Sequence, residues 1–158
     1  MDFQLSNAIL QREKWKNEGL KVVFTNGVFD ILHRGHVEYL EEARKTGDKL
    51  IVGVNSNSSV KRIKGEKRPI VDEFDRAIVI SKLKSVDCVL IFNEDTPLEI
   101  ITKLIPDILV KGEDWKIDSI VGKDVVEKNG GLVKTISFVP NRSSSNIIEN
   151  ILKQYNNK

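Results

Sequence analysis

Five short apolar runs recur along the chain with helical patterns between them: Lys21–Thr25, Lys49–Val54, Cys88–Phe92, Ile108–Lys111 and Leu132–Phe138. Polar residues hardly interrupt these runs, so each strand must be covered on both faces. A parallel sheet with helices on either side meets that requirement, because each strand-to-strand crossover lays a helix on the sheet. The sequence therefore predicts an α/β fold, a doubly wound parallel sheet of about five strands. In such sheets a ligand binds beyond the C-terminal strand ends. The segments after Thr25, Val54, Phe92, Lys111 and Phe138 are the places to look.

The intervening patterns place the helices. Phe3, Leu5, Ile9, Leu10 and Trp15 recur at helical spacing and stop at Gly19, giving a leading helix within residues 1–19. Val37, Leu40 and Ala43 share one helical face before Gly47, and Ala77, Ile80 and Leu83 share another after a start at Asp72. Thr96-Pro-Leu-Glu99 has the form of a capping box with Pro97 at the first helical position. Lys123–Lys128 predicts a short helix, and Ser143 or Ser144 caps a last one through about Gln154. Asn55–Arg68 is read as a polar, basic connection. No repeat or linker divides the 158 residues, a length that suits one domain over 1–158.

Rare residues exclude several function classes. One cysteine rules out an internal disulfide, and with only two histidines beside it a Cys/His zinc site is nearly without ligands. Cys88 lies among Val and Leu and reads as apolar filler. No apolar run nears the ~18 residues that a membrane span requires. The N-terminus lacks the basic-then-apolar layout of a signal peptide. The expectation is a soluble, cytoplasmic protein with no membrane partner.

The net charge of +2 conceals an uneven distribution. Lys61-Arg-Ile-Lys-Gly-Glu-Lys-Arg68 holds five bases and one acid, +4 locally, which leaves −2 on the other 150 residues. Such a run is usually a solvated loop or a seat for nucleic-acid backbone. It contains no aromatic residue to stack on a base, so nucleic acid is not an expected partner. A polyphosphate held at the neighbouring strand edge suits a mobile basic flap.

Thr25-Asn-Gly-Val-Phe-Asp-Ile-Leu-His-Arg-Gly-His36 carries the most chemistry, since both histidines of the chain fall within it, around Gly35. A helix starts here, so free backbone N–H groups and the positive end of its dipole face whatever lies beyond the strand. Gly27 and Gly35 let the backbone approach a ligand closely. Two imidazoles at this point can donate to phosphate oxygens as charge builds there; ordinary capping and a metal site are the alternatives. Lys111-Gly-Glu-Asp-Trp115 offers carboxylates for a ribose or base and a ring for stacking, or is a turn ending in a core Trp. Arg142-Ser-Ser-Ser-Asn-Ile147 is a second possible phosphate seat, or a plain serine cap. Arg76 either reaches the same phosphates or pairs with its acidic neighbours.

In this order and at these strand ends, the segments resemble the cytidylyltransferase-like nucleotidyltransferase family. Asn26-Gly-Val-Phe-Asp-Ile-Leu-His-Arg-Gly-His36 matches its G-x-F-D-x-x-H-x-G-H signature, and Ser143-Ser-Ser-Asn-Ile147 resembles its C-terminal S-[ST]-T-x-I motif. The resemblance spans about residues 20–152. Within the family the chain is most similar to the D-glycero-β-D-manno-heptose 1-phosphate adenylyltransferases. Val54-Asn-Ser56, Lys64-Gly65, Arg68-Pro69, Val86-Asp87, Glu94-Asp-Thr-Pro97, Pro106-Asp107, Val110-Lys-Gly112 and Asp114-Trp115 carry that similarity. Many such relatives follow a sugar kinase in one longer polypeptide, and the chain is expected to be the stand-alone form.

The resemblance implies a Rossmann-like nucleotidyltransferase fold and the transfer of AMP from ATP to heptose 1-phosphate with release of pyrophosphate. It implies Mg²⁺ held mainly by nucleotide phosphates, no protein metal site, and a homodimer. His33 and His36 would hold the phosphates through the transition state, and Lys64, with Lys61 or Arg62 in support, would neutralise the triphosphate. Ser143, Ser144 and Ser145 would bind the β- and γ-phosphates. Thr25, Asn26, Gly27, Phe29, Asp30, Gly35, Arg76, Lys111, Gly112, Glu113 and Asp114 complete the implied nucleotide site. Glu113 stands where these enzymes usually carry a second glycine, and an acid there resembles the glycerol-3-phosphate cytidylyltransferases, so CTP is the alternative nucleotide. Asn57 replaces a usual Asp, Ser145 a usual Thr, and Asn146 a frequent base. A non-catalytic nucleotide-binding module is the third reading.

Overall fold

A computed structural model of the chain describes residues 2–137 and 142–155. The apolar runs form strands β1 (Val22–Gly27), β2 (Lys49–Asn55), β3 (Cys88–Phe92), β4 (Ile108–Gly112) and β5 (Leu132–Ile136). They pair in the order β3-β2-β1-β4-β5, every pair parallel. β1 runs against β2 from Val22↔Lys49 to Gly27↔Val54, and against β4 at Val23↔Ile108 and Phe24↔Leu109. The chain therefore steps outward from β1 to β3, then returns to lay β4 on the other side of β1. Strand order reverses between β1 and β4, and the crevice opens there. The predicted end of β5 at Phe138 lies outside the described residues.

Among the described residues seven α-helices cover the sheet: α1 (Leu5–Asn17), α2 (Arg34–Lys45), α3 (Asn57–Lys64), α4 (Glu73–Ser81), α5 (Leu98–Leu104), α6 (Lys123–Lys128) and α7 (Ser144–Tyr155). Successive strand residues point to opposite faces, and each face has its own core. Val22, Phe24, Ile51, Leu90 and Leu109 pack with Trp15 of α1, Ile100 and Ile101 of α5 and Val126 of α6. Val23, Leu50, Val52, Val89 and Val110 pack with Tyr39, Leu40 and Ala43 of α2 and Ala77 and Ile80 of α4. Each fully buried Val, Leu or Ile contributes about 1.5–3 kcal/mol, which is why the runs show no polar alternation. Cys88 sits in the first core, its thiol pushed up to about 11 by burial. No helix among the described residues is long and apolar enough to cross a membrane.

Three local expectations need correction. Residues 55–68 are not a mobile flap, because Asn57–Lys64 is α3. Only Ser59 and Val60 of it are buried, so it shows no apolar stripe; instead Ser56 Oγ caps it by accepting from Ser59 N at 3.1 Å. The capping box at 96–99 does not form: α5 begins at Leu98 with Pro97 as its N-cap, and Glu99 pairs forward with Lys103 at 2.5 Å rather than back. In α1, Leu10 is 68% exposed and Arg12 is buried in its stead. The Arg12 guanidinium donates to the Ile105 carbonyl at 3.0 Å and to Asp107 Oδ1 at 3.3 Å, while Asp107 Oδ2 accepts from Val22 N at 2.7 Å. Those bonds fasten α1 beneath the start of β1.

Candidate active site

A cleft of about 920 Å³ opens over the C-terminal ends of the strands, centred on the crevice between β1 and β4. His33 and His36 stand at its floor. His33 is the N-cap of α2 but makes no capping bond with its side chain. The two rings instead stack on each other, centroids 3.8 Å apart and 23° from parallel, and the edge of Phe29 meets His36 at 5.4 Å. Both Nδ1 atoms are buried without a hydrogen-bond partner among the described residues. A buried, unpaired polar atom costs on the order of 1–3 kcal/mol. Burial holds the His36 imidazole down at about 4, with neighbouring His33 adding to the effect and Asp30 opposing it. His33 is also lowered, by burial and then by Arg142. Both rings are neutral at pH 7, and plain side-chain capping does not describe them.

The turn that carries them is built around Asp30, which is 1% exposed. Its carboxylate accepts from Arg68 Nε at 2.8 Å, from Val71 N at 2.9 Å and from Ile70 N at 3.0 Å. Burial alone would raise this acid, yet the two backbone donors and Arg68 together hold it below its ordinary value. Phe29 and Ile31 on either side adopt φ of 50° and 49°, a left-handed conformation that a β-branched residue rarely takes. Gly35 leaves close room for the His33 ring. A Cβ there would lie 3.1 Å from the His33 ring and 3.1 Å from Arg142 Cβ.

From β4, Lys111 reaches across the crevice. Its ammonium donates to Asn26 Oδ1 at the end of β1 and lies 6.0 Å from the centroid of Trp115. Burial pulls it down to about 8, against the pull of Asp114 upward. Asp114 and Trp115 line the same wall. The start of α7 closes the cleft opposite α2. Ser143 Oγ caps that helix by accepting from Asn146 N at 3.1 Å, and Ser144 Oγ donates to the Asp30 carbonyl. Ser145 and Arg142 are exposed on the lining.

The structure thus brings together His33, His36, Lys64, Asn26, Gly27, Phe29, Asp30, Gly35, Lys111, Gly112, Asp114, Ser143, Ser144 and Ser145 on one cleft. Five implied residues are not on its lining. Thr25 is fully buried and bonds Tyr39 Oη at 2.8 Å. Lys61 is turned toward Glu66, 3.7 Å away, and Arg62 toward Asp95 at 2.7 Å. Arg76, 3% exposed, is off the lining and forms no ion pair with its acidic neighbours; it donates to the carbonyls of Val28 and Val71 and to Asn57 Oδ1. Glu113 accepts from Ser137 Oγ, outside the lining, so the departure that pointed to CTP does not face the cleft.

Tyr39, Asn55 and Arg68 were not anticipated. Tyr39 lines the cleft from α2, and burial raises its phenol to about 12. Arg68 is spent on Asp30. The Arg68-Pro69 pair was visible in the sequence, but only the fold shows which acid it meets. Among the described residues no three of His, Cys, Asp and Glu cluster to hold a metal ion.

A family model described as cytidylyltransferase-like matches residues 24–150. The protein named Bifunctional protein HldE of Citrifermentans bemidjiense is 55% identical over 139 residues, 88% of this chain and 28% of that protein. The chain therefore spans less than a third of that relative's length. The crystal structure of the lipopolysaccharide core biosynthesis protein from Thermoplasma volcanium shares 38% identity at a TM-score of 0.63, over 77% of this chain and 98% of that one. The pantothenate synthetase of Thermus thermophilus shares the fold alone, at 18% identity and a TM-score of 0.62 over 92% of this chain and 66% of that one.

Proposed function

The chain belongs to the cytidylyltransferase-like family, and we propose that within it the protein moves AMP from ATP to D-glycero-β-D-manno-heptose 1-phosphate, releasing pyrophosphate. The observation that carries this reading is the stacked, neutral pair His33 and His36 at the start of α2, with buried and unpartnered Nδ1 atoms. Likeness to HldE and to a lipopolysaccharide core biosynthesis protein supports a sugar phosphate as acceptor.

An oxygen of the sugar phosphate attacks the α-phosphorus of ATP in line. The bond from that phosphorus to the bridging oxygen breaks, and pyrophosphate leaves with the electron pair. No covalent enzyme intermediate forms, so the protein contributes positioning and charge stabilisation. With Nδ1 buried, Nε2 is the nitrogen of each imidazole left to donate to a phosphate, and a neutral ring donates without a counter-charge to displace. As negative charge builds on the α-phosphate, those donors and the first N–H groups of α2 strengthen together. Lys111, which burial brings down to about 8, is still mostly charged at pH 7, and an arriving phosphate holds it in that charged form. Lys64 and Arg142 supply charge from the rim, and Ser145 with the first turn of α7 receives the distal phosphates.

Magnesium enters as part of the substrate, MgATP, carried by phosphate oxygens and water. Among the described residues Asp114 is the carboxylate of the lining without an ion pair, which fits a shared rather than a caged ion. The same reading places the protein in the cytoplasm, where ATP is, and as a homodimer.

Pyrophosphate release over a small matrix of ATP or CTP with sugar 1-phosphates or glycerol 3-phosphate tests the proposal. Release with ATP and the β-heptose 1-phosphate is expected. Release only with CTP and glycerol 3-phosphate overturns it, and nucleotide binding with no turnover makes the protein a binding module.

A further inference from the structure

Residues 93–97, between β3 and α5, are tied to α3 by more bonds than a surface loop needs to hold its shape. Ser56 Oγ and Ser58 Oγ both donate to Asn93 Oδ1, the first at 2.8 Å. Ser59 Oγ donates to the Glu94 carbonyl at 2.9 Å. Arg62 donates through Nε to Asp95 Oδ1 at 2.7 Å and through Nη2 to the Asn93 carbonyl. Freezing these side chains costs rotamer entropy. What the strapping achieves is a fixed presentation of Asp95 and Thr96 on the cleft lining. Arg62 takes one oxygen of Asp95, and Oδ2 has no bond among the described residues.

The strand order divides the cleft into two chemically different wings. On the β4–β5 side stand Trp115, Lys111 and Arg142, a ring for a flat base and cations for phosphates. On the β2–β3 side stand Asn55, Asp95 and Thr96, with no aromatic ring among the described residues of that wing. A purine gains most from a stacking face. A sugar offers many hydroxyl donors and gains most from carboxylate, amide and hydroxyl partners in fixed positions.

We propose that the strapped loop reads the acceptor: Asp95 accepts hydrogen bonds from hydroxyls of a polyhydroxylated phosphate ester, and Arg62 is the positioning residue that fixes its carboxylate. This rests on the reading of the cleft as a nucleotidyltransferase site and assigns the acceptor to the wing opposite Trp115. It also gives Arg62 a task other than neutralising the triphosphate.

Steady-state kinetics with each substrate varied, for Asp95→Asn, Asp95→Glu and Arg62→Met, provide the test. A lost charge-assisted hydrogen bond raises the KM for the sugar phosphate by about ten- to hundredfold in Asp95→Asn, with the KM for ATP within about twofold and the melting temperature unchanged. Arg62→Met moves the same constant in the same direction by less, and Asp95→Glu recovers part of the loss. Equal rises in both KM values, or a fall in melting temperature with no acceptor effect, reduce the strap to a structural role and overturn the proposal. Calorimetric binding of the sugar phosphate is measured alongside. If the wild type binds the sugar phosphate but turns nothing over, the proposed reaction fails; if Asp95→Asn binds it as the wild type does, the loop's role fails.

Discussion

Two segments, one after β1 and one after β2, both look like phosphate seats in the sequence, and the structure treats them oppositely. Residues 61–68 carry the formal charge, five bases and one acid, yet most of it is spent within the protein. Arg68 pairs with Asp30, Arg62 with Asp95 and Lys61 with Glu66, and of the five bases Lys64 and Arg68 alone touch the cleft. The turn at 25–36 carries little formal charge, and burial keeps both its histidines neutral. What it holds is unspent: two histidine Nδ1 atoms at the start of a helix, with no hydrogen-bond partner among the described residues. Availability of donors, rather than charge in the sequence, marks the site.

The largest effect is expected where the two segments meet. Asp30→Ala removes the acid that binds Arg68 and the backbone N–H groups of Ile70 and Val71. Leaving a partly exposed guanidinium and two amides without their acceptor costs about 3 kcal/mol over these charge-assisted bonds, measured by chemical denaturation. The folded acid lies below its unfolded value, so its stabilisation is present above about pH 4 and is lost as pH falls further. A loss under 1 kcal/mol would mean that the histidine turn does not depend on the basic segment for its shape.

His36→Ala sharpens the contrast from the other side. Its Nδ1 breaks no bond on removal, so the fold persists while turnover falls by about 10²–10³. Activity close to wild type would end the transition-state role given to this ring. The same residue sets a pH signature. Because His36 titrates at about 4 in the fold and at 6.5 in its ordinary state, the unfolded chain binds the proton first as pH falls. Stability is therefore full above pH 6.5 and erodes between 6.5 and 4, by on the order of 3 kcal/mol. Denaturation midpoints of wild type should fall relative to those of His36→Ala on acidification through that window, and parallel curves would contradict the burial of the ring.

The sheet was legible because its strands are buried on both faces, so their apolar runs have no other explanation. Both histidines and the Lys111-Gly112 segment were legible as chemistry because each follows such a strand. What was not legible is held by bonds between distant side chains. α3 contains Asn57, Ser58, Lys61 and Arg62, residues with no apolar period, and is stabilised by the Ser56 cap and by contacts to residues 93–95. Thr25 and Arg76 occupy signature-like positions but lie in the interior, where Tyr39 and three carbonyl or amide oxygens take their donors. Glu113 looked like a nucleotide selector and instead accepts from Ser137 across the β4–β5 edge. A residue's type is printed in the sequence, whereas the direction in which its side chain is spent is decided by the fold.

The smallest predicted effect separates two lysines three positions apart on one helix. Lys64 is exposed but lines the cleft, and Lys61 is exposed and lies toward Glu66. Equal charge and equal exposure would make them equivalent if the segment acted as a diffuse basic flap. In a formed helix positions three apart share a face, about 60° and about 4.5 Å apart, and it is the rise along the axis that brings Lys64, at the end of α3, to the cleft while Lys61 lies toward Glu66. Lys64→Ala should lower kcat/KM for ATP by roughly tenfold, the worth of about 1.4 kcal/mol for a partly screened contact to phosphate. That loss should shrink as salt rises. Lys61→Ala should stay within about twofold, as expected for an exposed pair of little net value. Equal losses in the two variants would restore the flap and remove the distinction between charge carried and charge aimed.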